Sequence, residues 1–451
     1  MMDLFEEFSG NDVAPVVNVP VVADVEAPIF SLNRKEVVLS RNTPSRRRNI
    51  VKAACNNSVV IFATSDCSIL RWTIDGEAEE IEVSKRSEDS INNIFVDFNG
   101  NHVIISLKNG DNYYLHCKST RPKKLSRLQG RIESVAFDRQ QNITPTTMSL
   151  NSSELMSKSF LVGTNLGMIY EVLVDSASGK EKICQIVHQL EQQIPITSLY
   201  FDHISNTGNM SSNMEESDSA PSSKYGGDTS CSRIFIICST TSPTRLYHFI
   251  GTATSFQQLF TDHSLSGSSS FIELPGSVPS TELGYVSMTR SINGETLKSY
   301  YFAMLTEFGV YNGFIYFSNI GAGGASSDAS SAENCTIEGK MSSYSELDVP
   351  TDAGGNASIP VSLLLSDFHV LLLSPDRTEV VAKSKLDGSL VQSLSLESTQ
   401  PSFGVPGLNS NAALRPIGLI KDSCRNCYYV YGDSASSVYQ ISIQTEDRNI
   451  C

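Results

Sequence analysis

Apolar and polar residues alternate in short runs along most of this chain. In GRIESVAFDR, residues 130–139, a turn glycine precedes apolar Ile132, Val135 and Phe137 and polar Glu133, Ser134 and Asp138. That alternation predicts a short half-buried strand ending on an aspartate. SINNIFVDFNG from Ser90 and PITSLYFDHI from Pro195 repeat the pattern, again closing on aromatic-Asp or Val-Asp. The strand strings are rich in Val, Ile, Tyr and Phe and are separated by Asn-Gly, Asp-Gly or Ser-Asp turns. No long window carries a 3.6-residue apolar period, so the pattern predicts an all-β chain.

Spacing organises the strands. One set starts near Ile50 (NIVKAAC, SVVIFATSD, SILRWTID), the next near Ile91 (INNIFVDF, HVIISLKNG, NYYLHC) and a third at Ile132 (IESVAFD, FLVGTNLG, MIYEVLV), at intervals of 41 residues. Four further sets follow: PITSLYFD with RIFIICSTT and RLYHFIG; ELGYVSM with YYFAMLTEFG and VYNGFIYF; PVSLLLSD with HVLLLSP and EVVAKSKLDG; RPIGLIKD with CYYVYGDS and SVYQISIQ. An interval near 40 is that of propeller blades, small sheets that hide both faces only by packing radially. The expectation is a seven-bladed β-propeller over residues 26–450. A strand from IFSLNRKEVVLS (29–40) is expected to complete the last sheet. A pair of β-sandwiches is the alternative, and it leaves the equal intervals unexplained.

Later intervals stretch where Ser/Gly/Asn/Asp tracts intervene, at about 138–158, 206–230 and 321–358. Such tracts cannot bury a core and read as disordered surface loops. Residues 1–25 read as a disordered acidic tail; through residue 26 there are six acidic side chains and no Lys or Arg.

The chain has 451 residues and a net charge of −15, which argues against a nucleic-acid binder. No apolar run reaches about 18 residues and the start lacks a signal-peptide layout, so a cytosolic protein is expected. Ten scattered cysteines fit the reduced state. The sequons at Asn56, Asn142, Asn151, Asn209, Asn334 and Asn356 then read as chance.

The repeats lack the Gly-His and Trp-Asp signature of common propeller repeats, Trp72 being the only tryptophan. EAPIFSLNRKEV (26–37), NIFVDFNGNHVIISL (93–107), STRPKKLSRLQGRIESVAFD (119–138) and FLVGTNLGMIYEVLV (160–174) resemble one family. RLYHFIG (245–251), FIELPG (271–276), LLLSDFHVLLLSPDRTEVV (363–381) and LIKDSCRNCYYVYGDSASSVYQISIQTEDRNI (419–450) continue the match in order. This is the vacuolar protein sorting-associated protein 18, or deep orange, family. The resemblance implies a core subunit of the HOPS and CORVET membrane tethers, peripheral on the cytosolic face of late endosomes, lysosomes or vacuoles. It also implies partners among the other tether core subunits, with SNARE or small-GTPase machinery reached through the full-length protein. In that family an α-solenoid and a RING-like zinc domain follow the propeller. This sequence stops at EDRNIC, so it reads as a fragment, truncated isoform or mis-spliced product, monomeric by itself.

Candidate chemistry is sparse, and no catalytic, cofactor or metal residue is expected. Cys424 and Cys427 in CRNC have half the spacing of a zinc site but no second pair, and read as coincidence. GTNLG (163–167) opens no helix and reads as a hairpin turn with Asn165 or Gly167 at positive φ; GAGGASS (321–327) reads as flexible tract. His248 and His369 lie in strand strings and read as core or blade-edge histidines. Arg46, Arg47 and Arg48 with Arg34 and Lys35 suit either a solvated loop or an acidic lipid or protein surface. MDLFEEF (2–8) has the composition of a linear motif. Two functions compete: a non-catalytic interaction platform, and a propeller enzyme of glycosidase or lyase type. The enzyme needs acids converging on the axis. The innermost-strand strings IVKAAC, INNIFV, ITSLYF and VSLLLS are mostly apolar and small, which favours the platform.

Overall fold

Every strand string named above becomes a strand in the computed structural model. It describes residues 28–40, 49–138, 158–190, 193–204, 233–252, 255–266, 271–276, 283–292, 295–306, 308–317, 335–338, 345–347, 359–396, 415–434 and 437–443. The expected tail (1–25), Arg46–Arg48, the GAGGASS tract and the 206–230 insertion lie outside the described residues.

Strands β1 (Phe30–Glu36) and β2 (Val38–Leu39) come first. Blade one is β3 (Ile50–Asn56), β4 (Val59–Thr64), β5 (Ser68–Thr73) and β6 (Glu77–Glu82). Blade two is β7 (Ile91–Val96), β8 (His102–Leu107), β9 (Asn112–His116) and β10 (Lys123–Lys124). Blade three is β11 (Ile132–Ala136), β12 (Phe160–Thr164), β13 (Met168–Val174) and β14 (Glu181–Gln189). Blade four is β15 (Ile196–Ile204), β16 (Arg233–Thr240), β17 (Arg245–Thr252) and β18 (Phe271–Glu273), with helix α1 (Phe256–Ser266) before the last strand. Blade five is β19 (Leu283–Ile292), β20 (Glu295–Leu305), β21 (Val310–Phe317), β22 (Cys335–Glu338) and β23 (Ser345–Leu347). Blade six is β24 (Ser362–Leu365), β25 (His369–Leu373), β26 (Glu379–Ser384) and β27 (Leu390–Ser395). Strands β28 (Pro416–Asp422), β29 (Cys427–Gly432) and β30 (Ser437–Ile443) end the series.

The expected blade count of seven is corrected to six. Six sheets are blades of consecutive strands, whereas the remaining sheet is composite, in the order β1-β30-β29-β28. Strand β1 runs antiparallel to β30 in unbroken register from Phe30↔Ile443 to Glu36↔Ser437, so the two ends of the chain close the ring together. The Phe30 amide donates to Gln392 Oε1 at 2.8 Å, and Gln392 Nε2 donates to the Phe30 carbonyl at 2.9 Å, tying the closing sheet to blade six.

Each pair of neighbouring sheets shares an apolar seam. Trp72 and Tyr429 fill the one between blade one and the closing sheet, and Ile61 and Ile105 the next. Tyr114 and Phe160, then Ile169 and Ile236, continue it. Phe235 stacks on Tyr300 at 4.7 Å between blades four and five. Tyr301 and Leu372, then Leu371 with Phe30 and Tyr428, complete the circle. The outermost strands are the ones the alternation did not announce: β6 reads EAEEIE, β10 is two lysines and β27 is largely exposed. With only one sheet face to cover, they carry little apolar signal.

Two further expectations change. The tract 321–358 is not entirely loop, since β22 and β23 both pair with β21, one beside Phe314–Phe317 and one beside Val310–Asn312. Together they satisfy the backbone edge of an eight-residue strand that one short segment cannot cover. The chain also contains helix α1, capped by Ser255 Oγ accepting from the Gln258 amide at 3.2 Å. Its apolar residues, Phe256, Leu259 and Phe260, sit at positions i, i+3 and i+4 and bury against blades three and four. One such triplet is too short to register as helical periodicity.

Helix α1 closes over a group of imidazoles. His188 stacks on Phe260 at 4.6 Å, and His263 Nε2 meets the Ile250 backbone. Burial, reinforced by His263, pushes both His188 and His248 down to about 4. The unfolded chain titrates histidine near 6.5, so it binds more protons between those values. The stabilisation is therefore complete above about pH 6.5 and declines as pH falls toward 4. Melting between pH 7 and 4.5 should show a loss on the order of 2 kcal/mol for each of the two histidines, which His188→Phe cuts by about half. An equal loss in the variant would place the effect elsewhere.

Candidate interaction surface

The sequence repeat has a structural cause at the ring axis. The innermost strands are β3, β7, β11, β15, β19, β24 and β28. Five of them slip register at the same place, between Ile50/Lys52, Ile91/Asn93, Ile132/Ser134, Ile196/Ser198 and Pro416/Gly418. Such bulges re-aim side chains. They all lie at the first positions of these strands, after an Ile in four of them and after Pro416 in the fifth. There Lys52 donates to Asn93 Oδ1, and Asn92 and Asn93 both donate to Glu133 Oε2 at 3.2 and 3.3 Å. Arg131 Nε donates to Glu133 Oε1 at 2.6 Å. Among the described residues these hydrogen bonds converge on the Glu133 carboxylate, which one guanidinium and two amides compensate. Sequence reading passed over these residues; their signal was the recurrence of Lys52, Asn93 and Ser134 at the blade interval.

At the other mouth the innermost strands end, and here the recurring aspartates sit. Asp97 Oδ1 accepts from the amides of Asn101 at 2.6 Å and His102 at 2.7 Å. Fully buried Asp422 accepts from Cys424 and Arg425 in its own turn, and from Asn57 and Ser58 in blade one. Asp138 pairs with Lys158 at 3.2 Å, clasping the two ends of the 138–158 insertion, whose residues 139–157 lie outside the described residues. Asp202 accepts from the Tyr300 hydroxyl at 2.7 Å across the seam to blade five. The repeated aspartate is a turn-closing and seam-stapling acceptor, so its recurrence has a purely architectural reason.

Between these turns lies an open cavity of about 210 Å³, walled by Cys55, Phe95, Val96, Phe137 and Ile420, with Asn56 and Lys421 at its polar edge. Burial pushes the Cys55 thiol far up, with Asp422 adding to the effect. Lys421 Nζ is committed to the Leu365 carbonyl at 3.0 Å.

The other sequence candidates fall into structural positions. Cys424 Sγ faces Asn57 Oδ1 at 3.8 Å while Cys427 Sγ faces the Arg425 carbonyl at 3.5 Å. Among the described residues no group of three or more His, Cys, Asp or Glu is arranged to hold a metal ion. His248 is buried and His369 half-buried. Lys35 pairs with Asp75 at 3.2 Å, and Arg34 is exposed on β1. The Asn56 amide donates to the Val96 carbonyl and accepts from the Ser423 amide, which leaves it committed to two seams. In GTNLG, Gly167 takes the positive φ (+73°), while Asn165 Oδ1 accepts from the Arg131 amide at 2.7 Å.

Gly163 lies inside β12, where a Cβ would strike Ser134 Oγ and come within 2.7 Å of Ile196 Cγ2. Gly163→Val should therefore cost on the order of 1–3 kcal/mol, read from the urea midpoint. An unchanged midpoint would mean that the blade-four strand gives way.

Residues 28–443 match the family model for the Pep3/Vps18/deep orange beta-propeller domain. The chain belongs to this family. It is 28% identical over 429 residues to "Vacuolar sorting protein 18" of Arabidopsis thaliana, covering 94% of this chain and 36% of that protein. It is 25% identical over 452 residues to "Vacuolar protein sorting-associated protein 18 homolog" of Danio rerio, covering 96% of this chain and 38% of that protein. The chain thus spans little more than a third of the length of these curated relatives. Among solved structures, "Structure of U3-55K" aligns with a TM-score of 0.46 at 10% identity, over 91% of this chain and 98% of that one. The family match spans all six blades and the closing sheet, so the Pep3/Vps18/deep orange propeller is the whole described fold.

Proposed function

We propose that this propeller is the protein-contact platform of a membrane-tethering subunit of HOPS or CORVET type. It serves vacuolar sorting, in vesicle docking and fusion at endosomes and lysosomes or vacuoles. Membership of the Pep3/Vps18/deep orange family carries the reading. The axial network, in which the Glu133 carboxylate is compensated, supports contact over catalysis. The platform works at the membrane from the cytosolic side, as a peripheral component. Among the described residues no helix is long and apolar enough to cross a bilayer. Its partners are the other tether core subunits, with SNARE or small-GTPase machinery engaged by the complete assembly. Alone, the chain is a monomer, because a closed ring leaves no innermost sheet face uncovered.

Proximity labelling with the chain fused to a biotin ligase tests this reading. Enrichment of tether core subunits and late-endosomal membrane proteins over an unrelated propeller is expected. A labelled set without tether subunits would overturn it. So would a hydrolase or lyase activity abolished by Glu133→Gln.

A further inference from the structure

The chain carries a net charge of −15, yet one stretch of its outer rim is strongly basic. KSTRPKKLSR, residues 118–127, holds Lys118, Arg121, Lys123, Lys124 and Arg127 and no Asp or Glu. All five side chains belong to exposed residues. They run from the β9–β10 turn through β10, the outer edge of blade two, toward blade three. Lys123 lies against the β13–β14 turn of that blade, since a Cβ on Gly179 would come within 2.6 Å of Lys123 Cγ. That turn and the start of β14 add exposed Lys180 and Lys182. Arg127 reaches β14 as well, its guanidinium donating to the Cys184 carbonyl at 3.2 Å.

Nearby acids do not balance these seven cations. Asp111 pairs with Lys124 at 2.7 Å, and Glu181 Oε1 accepts from the Arg127 amide at 3.0 Å. Asp175 accepts from Ser178 Oγ at 2.6 Å and feels Lys182. Three carboxylates against seven cations leave an excess of four positive charges on this rim. Toward blade one the excess ends at β6, whose Glu79 is paired with Arg71 at 2.7 Å. Arg71 also holds the β9–β10 turn in place by donating to the Ser119 carbonyl at 3.1 Å.

Protection of a sheet edge accounts for Lys123 and Lys124 behind Pro122, but not for the cations on the flanking turns. Composition narrows the partner. Five of the seven are lysine, which is depleted in protein–protein interfaces, where arginine and aromatic anchors carry the energy. Leu125, the only leucine, isoleucine, valine or aromatic residue in 118–127, is 2% exposed, so the stretch offers no apolar anchor. Clusters of about four to eight Lys and Arg suit anionic leaflets. Charges farther off than about 8 Å are screened at physiological ionic strength, so a leaflet at this rim meets the local excess and not the net charge.

We propose that the outer rim of blades two and three docks on anionic phospholipid headgroups of a bilayer. Ammonium groups on flexible stems meet a fluid sheet of negative charge, a contact that needs no fixed headgroup geometry. Vesicle binding requires no tether subunit, so its failure and that of the platform reading are told apart.

Flotation of the full chain with vesicles tests this, comparing phosphatidylcholine alone with phosphatidylcholine containing about one-third phosphatidylserine. Binding about ten-fold stronger to the anionic vesicles is expected, with release at high salt. Arg121→Glu/Lys123→Glu should lower it about ten-fold, and Arg34→Glu/Lys108→Glu, the same charge change on β1 and in the β8–β9 turn, by less than about two-fold. Arg121 and Lys123 form no ion pair among the described residues, so the sheets stay intact, and matching urea midpoints check this. Equal loss in both double variants would make net charge the cause and overturn the proposal. Failure to bind anionic vesicles, or equal binding to neutral ones, would overturn it too. Binding to polyglutamate in place of anionic vesicles would reassign the rim to an acidic protein partner.

Discussion

Removing residues 1–45 is expected to lower the unfolding midpoint far more than removing residues 1–20. The longer deletion takes away all of β1, and with it a seven-residue ladder to β30. It also removes Phe30, 1% exposed at the centre of the seam between blade six and the closing sheet. Loss of a buried phenylalanine alone costs about 3–5 kcal/mol. The two Gln392 hydrogen bonds and the opened edge of β30 add to that, for a total on the order of 5 kcal/mol or more. The exposed edge also invites pairing between chains, so the truncated protein should aggregate on heating. Removing residues 1–20 leaves every one of these contacts in place. Equal urea midpoints for the two truncations would mean that the ring does not depend on β1.

The second large effect is expected at Asp422. Its carboxylate has no solvent exposure and accepts four backbone hydrogen bonds, at 2.8, 2.6, 3.1 and 3.0 Å from Asn57, Ser58, Cys424 and Arg425. Asn57 and Ser58 both lie at positive φ (47° and 63°), a conformation that non-glycine residues hold only with such support. Asp422→Ala strands four donors at the seam between blade one and the closing sheet, for a loss of about 3 kcal/mol. Asp422→Asn keeps one acceptor oxygen and should fall between the two. Asp387→Ala, at an exposed turn where Asp387 accepts from Ser389, should change the midpoint far less. Asp422→Ala behaving like Asp387→Ala would show that the turns hold without the carboxylate.

These two sites differ in how far the chain announces them. The closing strand was legible, because IFSLNRKEVVLS alternates and the last unit, ending at SVYQISIQ, lacks an outer strand. Asp422 was visible as one of several aspartates at strand ends, but its reach into blade one was not. Asn57 and Asp422 are 365 residues apart, and nothing local in either segment encodes their meeting. The axial network has the same character. Lys52, Asn93 and Glu133 sit in strands that read as ordinary half-buried ones, and the bulges that bring them together appear only once neighbouring strands are in register. Helix α1 was missed for a further reason. Its stability comes from Phe256, Leu259 and Phe260 packing on blades three and four, not from its own eleven residues.

Strand content, the repeat interval and the family were determined by the sequence itself, because each depends on local alternation and on strings that keep their order. The tertiary structure alone decided that six blades are contiguous and the last sheet is shared by both chain ends. It also decided that the recurring aspartates are staples and that part of the 321–358 tract is strand. Alternation reports which face of a strand is buried, and is blind to which sheet lies opposite and which edge is left without a partner. Those are set by closure of the ring, where residues hundreds of positions apart become neighbours.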